Sequence, residues 1–278
     1  MTNVPIWKLN NGVEIPSLGF GVFKVQEGDE VFKAVLEALE AGYRLIDTAA
    51  VYGNEEGVGR AIKASGLKRE EIFLTTKLWN TEQGYDKAFE AFETSLRKLD
   101  TDYVDLYLIH WPGKDKYVES YKALEKLYAD KRVRAIGVCN FHVHHLEKLL
   151  AETSIVPAMN QIELHPLMNQ KEIRDYCREK GIQVEAWGPL MQGKGDLSDP
   201  LFLELGKNYK KSPAQIILRW HHQNGVLAIP KSITPSRIRE NLDIFDFELT
   251  GEDMEKIDGL NRNKRLSADP DTMMNGFV

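Results

Sequence analysis

Four side chains in this sequence could together place a proton on an oxygen atom: Asp47, Tyr52, Lys77 and His110. Three of them follow short apolar runs, Leu45-Ile46 before Asp47, Phe73-Leu74 before Lys77 and Tyr107-Leu108-Ile109 before His110. Charged residues are rarely buried unless paired, so an acid and a base on neighbouring strands at one level should pair. Tyr52 lies close beyond Asp47 in the chain and would stand beside that pair, where an ammonium lowers the pKa of a phenol. A phenol tuned in this way suits general acid catalysis near neutral pH. A histidine opposite it could donate a hydrogen bond to a substrate carbonyl oxygen. Taken singly, each has a plainer reading: Asp47 as a helix cap, Lys77 as a snorkelling chain, Tyr52 as packing, His110 as a satisfied core residue. Their joint occurrence on consecutive strand ends favours chemistry.

Such groups need strand ends held at a common level. Strand-like runs at 17–20, 44–47, 72–77, 104–110, 135–139, 159–163, 183–187 and 227–230 alternate with amphipathic helical patterns. The stretch 27–41 carries Val31, Ala34, Val35 and Ala38 at the spacing of a buried helical stripe, and Gly42 stops it. Helical patterns at 85–99, 117–130, 144–152, 171–180, 200–208 and 213–224 follow. Strand–helix alternation implies a parallel sheet, and this number of units implies α/β architecture closed as a (β/α)₈ TIM barrel. Ahead of it, the stretch from Trp7 to Ile15 predicts a β-hairpin closing the barrel bottom, turned by Asn11-Gly12 as a two-residue type I′ turn. A longer connection is expected over 191–198, and the whole of 1–278 is expected to be one domain. Functional residues of such barrels gather at the C-terminal strand ends.

Composition bounds the partners. A formal net charge of -6 argues against nucleic acid or an anionic membrane. No apolar run is long enough to span a bilayer, and the N-terminal residues offer no signal-peptide core. Cys139 and Cys177 are the two cysteines, so no disulfide framework is expected and a reducing cytoplasm is the expected location. The expected state is a monomer.

The residues around the four candidates resemble the aldo-keto reductase family. The stretches are Gly42-Tyr-Arg-Leu-Ile-Asp47-Thr-Ala-Ala-Val-Tyr52-Gly-Asn-Glu, Thr75-Thr-Lys77-Leu-Trp79 and Tyr103-Val-Asp-Leu-Tyr-Leu-Ile-His110-Trp-Pro. Arg134-Ala-Ile-Gly-Val-Cys-Asn140-Phe, Asn160-Gln161-Ile-Glu-Leu-His-Pro and Ile229-Pro-Lys231-Ser-Ile extend it over nearly the whole chain. The short C-terminal tail with Trp79, Trp111, Gln161 and Trp187 is similar to prokaryotic members, the bacterial glyoxal/methylglyoxal reductases and 2,5-diketogluconate reductases. The resemblance implies NADPH-dependent reduction of aldehydes and ketones, with Tyr52 as proton donor, Lys77 and Asp47 tuning it, and His110 orienting the carbonyl. The hydride would come from a nicotinamide, because no side chain can supply one.

No Rossmann fingerprint is present: Gly19-Phe-Gly21 lacks a third glycine in register, and Gly53, Gly57 and Gly59 do not supply one. The resemblance instead implies an extended dinucleotide over the barrel mouth, with Asn140 and Gln161 on the carboxamide and Trp187 stacked on the ring. Gly21, Val22, Gly188, Leu190 and Gln192 would complete the nicotinamide and pyrophosphate contacts. Beyond the last strand, Lys231, Ser232 and Ile233 lead to Pro235, which suits the first turn of a helix. A helix N-terminus attracts anions; Lys231 and Arg237 would meet a 2′-phosphate, and Glu240 and Asn241 the adenine. Such cations favour NADPH over NADH. Phe23, Trp79 and Trp111, together with Val22, are candidates for the substrate pocket. Two departures from the family pattern stand out: Cys139 and Gly188 occupy positions where relatives often carry serine.

A metal-dependent hydrolase is the rival reading, because His142-Val-His144-His145 offers nitrogen ligands. The cluster lacks companion strand-end histidines with carboxylates, so a solvated helix start with no metal is the expectation. The second rival is a non-catalytic nucleotide-binding barrel.

Overall fold

The computed structural model describes residues 4–273 apart from Lys194 and Asp196. Eight parallel strands follow one another around a sheet: β1 (Phe20–Gly21), β2 (Leu45–Asp47), β3 (Phe73–Leu78), β4 (Val104–Ile109), β5 (Val133–Cys139), β6 (Met159–Glu163), β7 (Gln183–Trp187) and β8 (Leu227–Ala228). A parallel bridge from Leu18 to Ala228, with the Gly19 amide donating to the Ala228 carbonyl at 2.9 Å, joins first strand to last and closes the barrel. The expected strand at 17–20 is thus shifted: the ladder strand is Phe20–Gly21, and Leu18 joins through a single bridge.

Helices surround the sheet: α1 (Asp29–Ala41), α2 (Glu55–Ala64), α3 (Tyr85–Leu99), α4 (Tyr117–Ala129), α5 (Val143–Glu152), α6 (Lys171–Glu179), α7 (Pro200–Tyr209), α8 (Pro213–Gln223), α9 (Pro235–Leu242), α10 (Gly251–Asp258) and α11 (Pro270–Met273). The stripe read on α1 is buried as expected, and Gly42 ends the helix at φ 118°. Helix α2 was not legible in the sequence, because Gly57 and Gly59 lower its helix propensity. Both glycines are needed for packing. A Cβ on Gly57 would meet Val31 at 2.2 Å, and one on Gly59 would meet the Leu99 carbonyl oxygen at 2.4 Å.

Two apolar layers result. One fills the space between strands and helices. The other lies inside the barrel, where Leu45, Phe73, Leu106 and Leu227 pack against Leu9 and Ile15 of the N-terminal hairpin. The hairpin (Ile6–Lys8 with Glu14–Pro16) therefore closes the end at which the strands begin. Its turn corrects the two-residue type I′ expectation. Leu9 and Val13 flank three loop residues, with the Leu9 amide donating to Val13 at 2.9 Å, and only Gly12 (φ 83°) is left-handed. A type I′ turn needs positive φ at both central residues, whereas a three-residue loop ends in one left-handed glycine. In the expected connection 191–198, Met191–Gly193 forms a short 3₁₀ turn, while Lys194 and Asp196 lie outside the described residues. Among the described residues no helix is long and apolar enough to cross a membrane.

Candidate active site

The opposite end of the barrel gathers the four proton-handling candidates. Asp47 ends β2, Lys77 lies near the end of β3, His110 follows β4, and a 3₁₀ turn (Ala50–Tyr52) carries Tyr52 back over the rim. The Lys77 Nζ donates to Asp47 Oδ1 at 2.6 Å and to the Thr48 carbonyl at 2.9 Å, and lies 3.4 Å from Tyr52 Oη. The His110 ring stands edge-on to Tyr52, with centroids 5.6 Å apart, and edge-on to Trp79 at 5.2 Å. The spacing thus brings together the four groups that the sequence singled out.

Electrostatics assign their charge states. Burial disfavours the Lys77 ammonium, but Asp47, Tyr52 and Cys139 more than offset it, so its pKa ends above the ordinary lysine value and it keeps its proton. Burial lifts the Asp47 carboxyl above its ordinary value, opposed by Lys77 and by the Gln161 amide. Burial, reinforced by Lys77, holds His110 well below the ordinary histidine pKa, so its imidazole is neutral. Tyr52 corrects an expectation. Its hydroxyl is raised rather than lowered, because burial outweighs the opposing pull of Lys77. The phenol therefore holds a proton at neutral pH, and the ammonium beside it is placed to stabilise a phenolate once that proton leaves.

A polar group that the sequence reading missed lies beneath these four. The Gln161 amide nitrogen donates to Asp47 Oδ2 at 2.8 Å and to Glu185 Oε2 at 2.5 Å. Glu185 is fully buried, and its carboxyl is pushed up to about 8 by burial and then by the charge of Asp47. The signal was available in the alternation of β7: Gln183, Glu185 and Trp187 share one face, and Trp187 faces the cavity. A search confined to strand ends passes over it.

Above the four lies a cavity of about 500 Å³. Phe23, Trp79, Trp111 and Trp187 give it aromatic walls, and Gly21, Gly188, Leu190, Gln192 and Lys231 also line it. The Trp187 indole donates to Asn140 Oδ1 at 2.8 Å, while the Asn140 amide nitrogen donates to the His110 carbonyl at 2.9 Å. Asn160, the neighbour of Gln161 in the motif, faces the other way and donates to the Phe141 carbonyl. Val22 does not line the cavity; its side chain is buried in the layer between sheet and helices, and its amide donates to the Asp47 carbonyl. Cys139 is buried, with its thiol pKa pushed well up by burial, so it is unreactive. Lys24, Val51, Pro189, Ser267 and Met273 also reach the cavity and were not anticipated.

Of residues 231–241, Lys231 lines this cavity. Ser232 Oγ accepts the Thr234 amide at 3.1 Å, Ile233 is 49% exposed, and Pro235 opens α9 without a side-chain cap from Thr234. Lys231 and Arg237 are exposed and have no ion-pair partner among the described residues. Glu240 is half-buried and Asn241 is buried.

Comparison with known proteins agrees with this geometry. The model of the Aldo/keto reductase family matches residues 17–262. The chain is 57% identical over 267 residues to a glyoxal reductase of Bacillus subtilis (strain 168), covering 96% of each chain. Among solved structures, an aldo/keto reductase from Brucella melitensis matches with a TM-score of 0.90 at 54% identity, over 93% of this chain and 100% of that one. A Bombyx mori aldo-keto reductase in complex with NADP matches with a TM-score of 0.91 at 37% identity, over 98% and 97%.

Proposed function

From the premise that this chain belongs to the aldo/keto reductase family and reduces carbonyl groups, we propose that it uses NADPH, with Tyr52 as the proton donor. One observation carries the role of Tyr52: its hydroxyl lies 3.4 Å from an ammonium that is itself fixed 2.6 Å from Asp47. When bound, the cofactor supplies the hydride. The chain's own groups do the rest. The neutral His110 offers an N–H to the carbonyl oxygen and orients it. Tyr52 transfers its proton to that oxygen as negative charge develops there. Lys77 stabilises the phenolate, and Asp47 keeps Lys77 charged and in place. The aromatic walls exclude water, which strengthens each of these interactions.

The residues present fit the cofactor. Trp187 offers a flat face at the cavity, and Asn140 and Gln161 offer amides beside it. Gly21, Gly188, Leu190 and Gln192 line the path outward. The uncapped start of α9, flanked by Lys231 and Arg237 with Ser232 and Ile233 between, suits a 2′-phosphate. Glu240 and Asn241, further along α9, would meet the adenine. Glyoxal-type dicarbonyls are the substrate class we favour, because the Bacillus relative is a glyoxal reductase and the cavity is small and aromatic. Two buried free cysteines support a reducing cytoplasm; we further take 1–278 as one domain, acting as a monomer without nucleic acid.

The test is loss of NADPH absorbance against a panel of aldehydes, ketones, dicarbonyls and sugar acids, with NADH in parallel. The expected result is turnover of dicarbonyls with NADPH at least about tenfold more efficient than with NADH, the worth of one charge-assisted contact. Equal efficiency with both nucleotides would contradict the role given to Lys231 and Arg237.

A further inference from the structure

Away from the reaction centre, the start of α5 places three imidazoles around one carboxylate. His142, His144 and His145 each offer a nitrogen, and Asp271 of α11 an oxygen, with these atoms all within 4.8 Å of one another. His142 Nδ1 lies 3.2 Å from Asp271 Oδ2, while His144 Nε2 and His145 Nε2 lie 3.0 and 3.4 Å from Oδ1. The carboxylate absent from the sequence motif thus arrives from more than a hundred residues away in the chain.

We propose that His142, His144, His145 and Asp271 form a binding site for one divalent transition-metal ion, with Zn²⁺ the best match. Zinc favours four nitrogen, sulfur or oxygen ligands in a tetrahedron, at about 2.0–2.2 Å for nitrogen and oxygen. Ligand atoms of such a tetrahedron are about 3.4 Å apart; the nitrogen–carboxylate contacts, made to two different oxygens, are 3.2, 3.0 and 3.4 Å, and the four ligand atoms as a set lie within 4.8 Å, so the rings must draw in when an ion binds. The rings are already crowded, with the His144 and His145 centroids 4.0 Å apart. In the absence of an ion the Asp271 carboxylate, with about four lone-pair sites, can accept from all three rings. A cation would engage the same three rings. Imidazole nitrogen with one carboxylate is a donor set suited to zinc rather than to magnesium or calcium, which prefer oxygen.

The site opens onto a surface groove that His142, His144, Asn169, Gln170 and Asp271 help to line, so an ion can enter without unfolding. His144 is the most exposed of the three rings. Two contacts oppose loading. The His142 amide donates to His145 Nδ1 at 3.2 Å, and the Arg265 guanidinium lies 3.3 Å from His142 Nε2. Both second nitrogens must change from acceptor to donor when the first binds metal. Arg265 has Glu163 and Asp269 as alternative partners, which makes that exchange feasible. We therefore expect weaker binding than in a dedicated zinc-finger site. Because Ser267 and Met273 on the same C-terminal segment line the active-site cavity, an ion at Asp271 would tie that segment to α5 at the cavity mouth.

The test uses tag-free full-length protein, stripped with chelator, then titrated with Zn²⁺ by calorimetry and with Co²⁺ by visible absorption. We expect one equivalent to bind, the tetrahedral absorption bands of Co²⁺, and a rise of several degrees in Tm with excess Zn²⁺. His144→Ala and Asp271→Asn should each weaken binding by at least about tenfold; the exposure of His144 makes the first safe for folding, which circular dichroism checks. Carbonyl reduction by the stripped enzyme should persist, since the proposed ligands are not among the proton-handling groups. Failure to find saturable one-equivalent binding, or binding undiminished in both variants, would overturn the site. Loss of turnover on stripping, restored by Zn²⁺, would overturn its separation from the chemistry.

Discussion

At the scale of single residues, the centre of the barrel holds one ammonium for two carboxyl groups. Lys77 is committed to Asp47, so Glu185, joined to Asp47 only through the Gln161 amide, keeps its proton in the folded state. Its pKa is raised from 4.5 to about 8. A proton bound more tightly in the folded state stabilises that state most below the unfolded pKa. The contribution declines as pH rises and is lost once pH passes the folded pKa. Glu185→Gln removes this dependence while keeping an acceptor for Gln161. Thermal melts from about pH 5 to about pH 9 should therefore show wild-type Tm falling more steeply than that of the variant, the gap opening through the window set by 4.5 and about 8. Parallel curves would contradict the assignment. The residue scale also shows the limit of pattern reading. That Lys77 pairs with Asp47 was legible from strand ends; that burial outweighs Lys77 at Tyr52 was not, because desolvation depends on walls contributed by several distant segments.

At the scale of elements, α2 is the instructive case. Two glycines at Gly57 and Gly59 hide a helix from propensity arguments, yet they let it lie against α1 and the end of α3. An alanine in a helix ordinarily gains about 1 kcal/mol over glycine. At Gly59 the sign should reverse, because the added methyl would meet the backbone oxygen of Leu99 at 2.4 Å, and backbone yields less than a side chain. Gly59→Ala is expected to destabilise by about 1–3 kcal/mol, measured by urea denaturation; a stabilised variant would show that α2 can shift freely. The strands were more legible than this helix. β6 and β7 coincide with the runs read from sequence; β6 is buried throughout, and β7 is buried at its three central residues. β1 and β8 are shorter than expected because the closure between them rests on a few bonds around Gly19 and Ala228.

At the scale of the whole molecule, a net charge of -6 coexists with two exposed cations near the start of α9 that have no ion-pair partner among the described residues. The overall charge repels anions at a distance while this helix start attracts one locally, a contrast that salt should weaken. Barrel closure was legible from strand–helix alternation, and so was the level at which Asp47, Lys77 and His110 meet. The return of the C-terminal segment was not. Ser267 and Met273 at the cavity and Asp271 against three histidines are juxtapositions across more than a hundred residues, with no local pattern to announce them. The central claim, that the Tyr52 hydroxyl delivers the proton, is tested most directly by Tyr52→Phe, which deletes one oxygen from a half-buried ring. Steady-state NADPH consumption with a dicarbonyl substrate should fall by about 10²–10⁴-fold in kcat, while NADPH affinity, followed by fluorescence, changes by less than about threefold. A variant that binds NADPH and turns over at the wild-type rate would contradict the account.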